Sequence, residues 1–135
     1  MPAQAAQTRN RMRQYGFEKL EVYAKARQLV TDVYRLSSCF PDDERYALSD
    51  QIHRAAISIP SNIAEGTSRK SKKDKAHFIE ISYGSLMEVV CQLQIALDLG
   101  YINQQQYEEI QPDIKRLSYA LFTLHRSFDI EGEKQ

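Results

Sequence analysis

The chain has 135 residues, 42% of them apolar, and its 18 Lys and Arg are balanced by 18 Asp and Glu. This length and composition suit one folded domain with its own core and exclude a disordered chain. No apolar run approaches the roughly 20 residues that cross a bilayer, and Arg9, Arg11 and Arg13 are not followed by the apolar stretch of a secretory signal, so a cytoplasmic protein without membrane contact is expected.

Residues 1–15 read as a flexible tail, residues 16–130 as the folded domain and residues 131–135 as a second flexible tail. The spacing of apolar residues predicts four helices and no strand. In the first, Val22, Ala26, Leu29, Val33, Leu36 and Phe40 alternate steps of four and three. Phe40-Pro41-Asp42-Asp43-Glu44 ends that helix and starts the next, with acids at the positive N-terminus. Leu48, Ile52, Ala55, Ile59 and Ile63 form the second seam, and Pro60 falls inside it. A proline there removes a backbone donor and crowds the carbonyl of Ala56, at a cost of about 3 kcal/mol. The spacing still predicts a helix that continues through Pro60 to about Ala64 with a bend, and Ser58 or Ser61 hydroxyls near the freed carbonyls.

Gly66 suits a C-terminal cap. Ser71-Lys72-Lys73-Asp74 resembles a capping box. The third helix carries Ala76, Ile79, Tyr83, Leu86, Val90, Leu93 and Leu97 in the same rhythm, and Gly100 closes it. Asn103 with Gln106 opens the fourth, whose seam is Tyr107, Ile110, Ile114, Leu117, Leu121, Leu124 and Phe128. A repeated 3-4 alternation is the pattern of helices packed near +20°, and short connections force chain neighbours antiparallel. The expected fold is therefore all-α, an up-down-up-down antiparallel four-helix bundle. Two helices carry a second apolar stripe: Leu20, Tyr23, Val30 and Tyr34 in the first, Phe78, Ile81, Val89 and Leu99 in the third. A wide core stripe and a subunit interface both account for them.

The neutral total hides an asymmetry. Residues 1–75 hold 14 Lys and Arg against 9 Asp and Glu, and residues 76–135 hold 4 against 9. The sharpest concentration is Arg69, Lys70, Lys72, Lys73 and Lys75. Cations in a first helical turn oppose the helix dipole. Together with the free N–H groups there they form a candidate site for phosphate or nucleic acid; a solvated basic turn is the plainer alternative. No aromatic lies within the patch to stack bases.

A second constellation is Arg54, Ser85 and Glu88. If the second and third helices pair about a turn near residue 69, Arg54 lies opposite Gly84. Gly84 then permits close approach, and Arg54 reaches Ser85 or Glu88 as a register device. Asn62 and Glu65, beside the proline, complete a structural polar cluster, by binding freed backbone groups or by projecting to a partner. Asp50-x-x-His53 and Asp74-x-x-His77 have ligand-like spacing, but the inward Glu residues of a bundle metal site are missing. His125 has no partner motif. No catalytic triad, glycine-rich phosphate loop or Cys/His pairing is present. Neither metal, cofactor nor catalytic residue is assigned. Cys39 and Cys91, without CxxC spacing, read as reduced thiols.

Several of these residues carry a family resemblance: Phe17-Glu18-Lys19-Leu20 with Ala26; Phe40-Pro41 with Glu44; Leu48 with Gln51-Ile52; Arg54-Ala55-Ala56; the run Ser58 to Gly66; Gly84-Ser85-Leu86 with Glu88; Gln92-Leu93; and Leu99-Gly100-Tyr101. Over residues 17–128 the chain resembles the bacterial four-helix bundle family first noticed in intervening sequences of 23S ribosomal RNA genes. The resemblance implies a subunit of a ring, commonly a homopentamer, with no established enzymatic activity. It is also similar to the accessory protein of diversity-generating retroelements, a basic pentameric barrel that binds nucleic acid and a reverse transcriptase, although this chain is neutral. The expected function is a non-enzymatic homo-oligomer that binds structured RNA or DNA through phosphate contacts. The alternative is a protein-interaction scaffold with no nucleic-acid role.

Overall fold

The computed structural model describes residues 15–129. The expected tails, including Arg9, Arg11 and Arg13, lie outside the described residues except for Tyr15, whose ring stacks on Phe17 with centroids 5.7 Å apart. Four helices follow a short 3₁₀ turn, Gly16–Lys19: α1, Glu21–Ser37; α2, Leu48–Thr67; α3, Lys72–Asp98; and α4, Gln104–Arg126. No strand occurs among the described residues.

The helices pack in chain order, and α4 closes back on α1. Neighbours run antiparallel, as the short links require. Across α2 and α3, Ser58 meets Ser85 and Ile59 meets Ser82. Across α3 and α4, Glu80 pairs with His125 and Gln94 with Tyr107. The result is the expected up-down-up-down bundle.

The seams of α1, α2 and α4 form one core as the spacing predicts. Leu29, Val33, Ile52, Ile59, Ile63, Leu117 and Leu121 are its largest fully buried members on those helices. The seam of α3 differs. It runs through Ile79, Ser82, Ser85, Leu86, Val89, Leu93 and Ala96, so Tyr83 turns outward and Val89 belongs to the core. Two buried serines stand in a stripe that the apolar rhythm reserves for hydrophobic residues. The second stripes divide accordingly: Leu20, Tyr23 and Val30 pack against the core, while Ile81 and Leu99 face solvent.

Several boundaries differ from the expectation. Asp42–Glu44 forms a separate 3₁₀ turn, and α2 begins only at Leu48. Pro41 fixes an extended entry there, and the three acids lie outside the longer helix. At the far end α2 runs through Pro60 to Thr67, so Gly66 is helical and buried. Its role is close packing: a Cβ there would stand 3.0 Å from the Phe78 Cβ and 3.4 Å from the Lys75 carbonyl. Gly84, expected to fill that role, has open space beside it. Gly100 does close α3. With φ at 76° it lets Tyr101 N–H reach the Ala96 carbonyl at 2.9 Å and its own N–H reach Leu97 at 3.0 Å, a Schellman cap. Asn103 and Gln106 form the full capping box at α4.

Candidate nucleic-acid interface

The turn between α2 and α3 is built by short hydroxyl side chains. Thr67 Oγ1 donates to the Ala64 carbonyl at 2.8 Å and Ser68 Oγ to the Glu65 carbonyl at 2.6 Å, satisfying acceptors that a helix end leaves open. Ser71 Oγ accepts from Asp74 N–H at 3.1 Å and caps α3. This fixes where the cations emerge.

The five cations are not equivalent. Arg69 Nη2 pairs with Glu65 Oε1 at 2.6 Å, and its guanidinium lies 4.7 Å from the Phe78 ring centroid. Lys75 Nζ lies 5.8 Å from the centroid of the Phe128 ring. These two tie the turn to α3 and to the end of α4. Lys70, Lys72 and Lys73 are exposed. Asp74, in the first turn, offsets part of the unfavourable cation placement there.

Antiparallel packing gathers this turn with the start of α1 and the end of α4. Residues 15–31, 65–80 and 115–129 form that end of the bundle and carry eleven Lys and Arg against six Asp and Glu. Residues 32–54 and 98–113 form the opposite end and carry three against nine. The asymmetry along the sequence thus becomes an asymmetry along the bundle axis. Spacing within single helices could not show this, because Lys19, Lys73 and Arg126 are brought to one end only by the topology.

The polar cluster is partly assembled. Ser85 Oγ donates to Ser58 Oγ at 2.8 Å, and Asn62 Nδ2 donates to the same oxygen at 2.9 Å and to the Ser58 carbonyl at 2.8 Å. Ser82 Oγ donates to the Ile59 carbonyl at 2.9 Å. Asn62 and Ser82 of α3 thus serve the Ser58 and Ile59 carbonyls beside Pro60, neither of which is the Ala56 carbonyl that the proline frees, and the Ser58 hydroxyl accepts. Arg54 does not hydrogen-bond Ser85 or Glu88; its Nε pairs with Asp50 at 3.1 Å. The register sits about one helical turn from the expected one, so that Arg54 and Glu88 line the same groove of about 300 Å³ with Gln51, Ser58, Ser85 and Gln92. Gln92 keeps a buried Oε1 without a partner there. Glu65 belongs to Arg69 instead. Ser82 was not singled out by the sequence, because an isolated polar residue on a helix gives no periodic signal.

Neither ligand-like pair assembles a metal site. His53 stacks on Tyr34 with ring centroids 3.9 Å apart and bonds Ser37 Oγ at 2.6 Å. Burial lowers its pKa from the ordinary 6.5, against an opposing pull from Asp50. Among the described residues, no three His, Cys, Asp or Glu side chains converge to hold a metal. Cys39 and Cys91 are free and exposed. No helix is long and apolar enough to cross a membrane among the described residues.

No curated protein matches the chain. It is similar in fold to the crystal structure of a protein of unknown function from the S23 ribosomal protein family of Bacteroides thetaiotaomicron. The TM-score is 0.70 at 24% identity, over 77% of this chain and 97% of that one. The family model of the 23S rRNA-intervening sequence protein matches residues 18–123. With the four-helix architecture in place across that whole span, the chain belongs to the 23S rRNA-intervening sequence protein family.

Proposed function

We propose that this protein is a non-enzymatic, cytoplasmic homo-oligomer, most in keeping with a pentamer, that binds structured RNA or other nucleic acid through phosphate contacts. The observation that supports this reading is the basic end of the bundle, with eleven cations against six acids. Neutral overall charge does not oppose it, because screening confines each field to roughly 10 Å at 0.1 M salt, well short of the length of α3. A phosphate at the basic end meets mainly cations there. Repeating the patch around a ring multiplies a weak contact by avidity. The absence of base-stacking aromatics within the 69–75 segment favours a duplex or folded backbone over single strands.

Fluorescence anisotropy with a 20-base-pair RNA at 50 to 200 mM salt tests this. The expected result is binding that weakens steeply with salt, by about 0.9 log units per log unit of salt for each phosphate contact, by analogy with duplex DNA. Absence of binding at 50 mM salt would favour the second reading, a protein-interaction scaffold. That reading draws on the engagement of Arg69 and Lys75 within the fold and on an apolar groove between α3 and α4.

A further inference from the structure

The third helix is charge-poor on the side it shows to solvent. Between Ala76 and Leu97 its ionised residues are Glu80 and Glu88 alone. α4, of similar length, carries Glu108, Glu109, Asp113, Lys115, Arg116 and Arg126. A helix with apolar residues all round is normally covered on all sides.

Two separate apolar strips flank the outer face of α3. The first lies in the groove between α3 and α4, about 640 Å³ in volume. Tyr83, Met87, Tyr119 and Phe122 line it and remain 42%, 38%, 72% and 55% exposed. At about 200 Å² per side chain, they leave on the order of 400 Å² in water. That is about half of what one partner contributes to a standard interface. Aromatic and Met side chains framed by a polar rim match the composition of an interface centre, and here Lys115, Glu80 and His125 supply the rim. The second strip is on the α2 side. Ile81 and Ile95 are exposed and lie one heptad either side of Glu88, which lines the α2–α3 groove. Exposed Leu99 continues that row.

The geometry points to a second copy of this chain as the occupant: the α3–α4 groove of one subunit receives the Ile81–Ile95–Leu99 strip of the next. This rests on the oligomeric reading proposed for the chain and assigns its surfaces. A face that binds an unrelated partner needs one apolar strip. Head-to-tail self-association needs two different ones, one to give and one to receive, and both are present. Of the charges at the two surfaces, Glu80 pairs with His125 and Arg54 with Asp50, which leaves Lys115 at the groove to meet Glu88 in the strip.

Complementation between two variants tests the assignment. Phe122→Asp removes the groove and Ile95→Asp removes the strip. Both residues are exposed, so each variant keeps the helical circular dichroism of the wild type. Light scattering at micromolar protein should give wild-type particles several times 15.6 kDa and a monomer for each variant alone. Mixed one to one, the variants should form a heterodimer that grows no further, because one intact groove meets one intact strip. Variants that keep the wild-type mass would overturn the assigned surfaces and leave the oligomer standing. Two monomers that fail to pair when mixed would overturn the head-to-tail arrangement. A monomeric wild type would overturn the oligomeric reading itself.

Discussion

Ser82 Oγ of α3 donates to the Ile59 carbonyl of α2 at 2.9 Å, one residue before Pro60. The bond joins two helices at the turn where the proline disturbs the α2 backbone ladder. Ser82 is wholly buried, so its hydroxyl has no water to fall back on. The contact serves both helices: α3 hides a polar group inside its seam, and α2 gains a donor beside its proline.

Ser82→Ala removes that donor at almost constant volume. Losing a buried hydrogen bond to a carbonyl costs about 1–2 kcal/mol, and urea unfolding should show a decrease of that order. Ser82→Val adds a methyl group to a filled site and should cost more. An unchanged midpoint for Ser82→Ala would show that the α2 carbonyl is satisfied without α3.

Two glycines should respond in opposite directions. Gly→Ala inside a helix favours folding by about 1 kcal/mol. At Gly84 nothing stands within 4 Å of the new Cβ, so Gly84→Ala should stabilise by up to that amount. At Gly66 the new Cβ meets the Phe78 Cβ at 3.0 Å and a backbone carbonyl at 3.4 Å. Neither can swing away as the end of a long side chain would. Overpacking costs about 1–3 kcal/mol, so Gly66→Ala should destabilise on balance. Thermal melts of the two variants decide it, and a stabilising Gly66→Ala would show that α2 and α3 separate easily.

These glycines mark the limit of what the sequence could reveal. The helix count, the antiparallel order, the Gly100 cap and the Asn103–Gln106 box were legible, because each depends on residues near one another in the chain. The α3 seam was identified but rotated. A hydrophobic pattern passes over Ser82 and Ser85, whose burial depends on acceptors 23 and 27 residues away. Gly66 carries the same local signature as a C-cap and a close contact, and only the position of Phe78 separates them. The 69–75 cations were visible as a cluster. The engagement of Arg69 with Phe78 and of Lys75 with Phe128, and the gathering of eleven cations at one end, follow from topology.

His53 gives a pH dependence of definite sign. Ser37 Oγ donates to the Tyr34 carbonyl at 3.0 Å, which leaves it to accept Nε2–H of a neutral His53 at 2.6 Å. Burial lowers the folded pKa below the ordinary 6.5. Below pH 6.5 the unfolded chain therefore binds more protons at this site than the folded one. Its contribution to stability is complete above pH 6.5 and declines as pH falls through 6.5 towards the lowered folded pKa. The stability advantage of wild type over His53→Gln should shrink between about pH 7.5 and about pH 5. A difference that stays constant across that range would show that His53 titrates alike in both states.

The last prediction separates cations that shape the fold from exposed ones that the proposed function assigns to phosphate. Arg69 has its partners in Glu65 and Phe78. An exposed ion pair contributes about 0–1 kcal/mol and a cation–π contact about 0.5–1 kcal/mol. Arg69→Gln should therefore lower stability by on the order of 1 kcal/mol and change the salt slope of RNA binding little. Lys70 and Lys73 are exposed on the rim of the same turn. Replacing both with Gln should leave the melting temperature within about a degree or two, since surface substitutions usually lie within about ±0.5 kcal/mol. The same change should reduce the magnitude of the log–log salt slope by roughly 0.9 for each phosphate that the two lysines neutralise. If the double variant binds with the wild-type slope, the phosphates sit elsewhere on the basic end, where Lys19 and Arg126 are the next cations to replace.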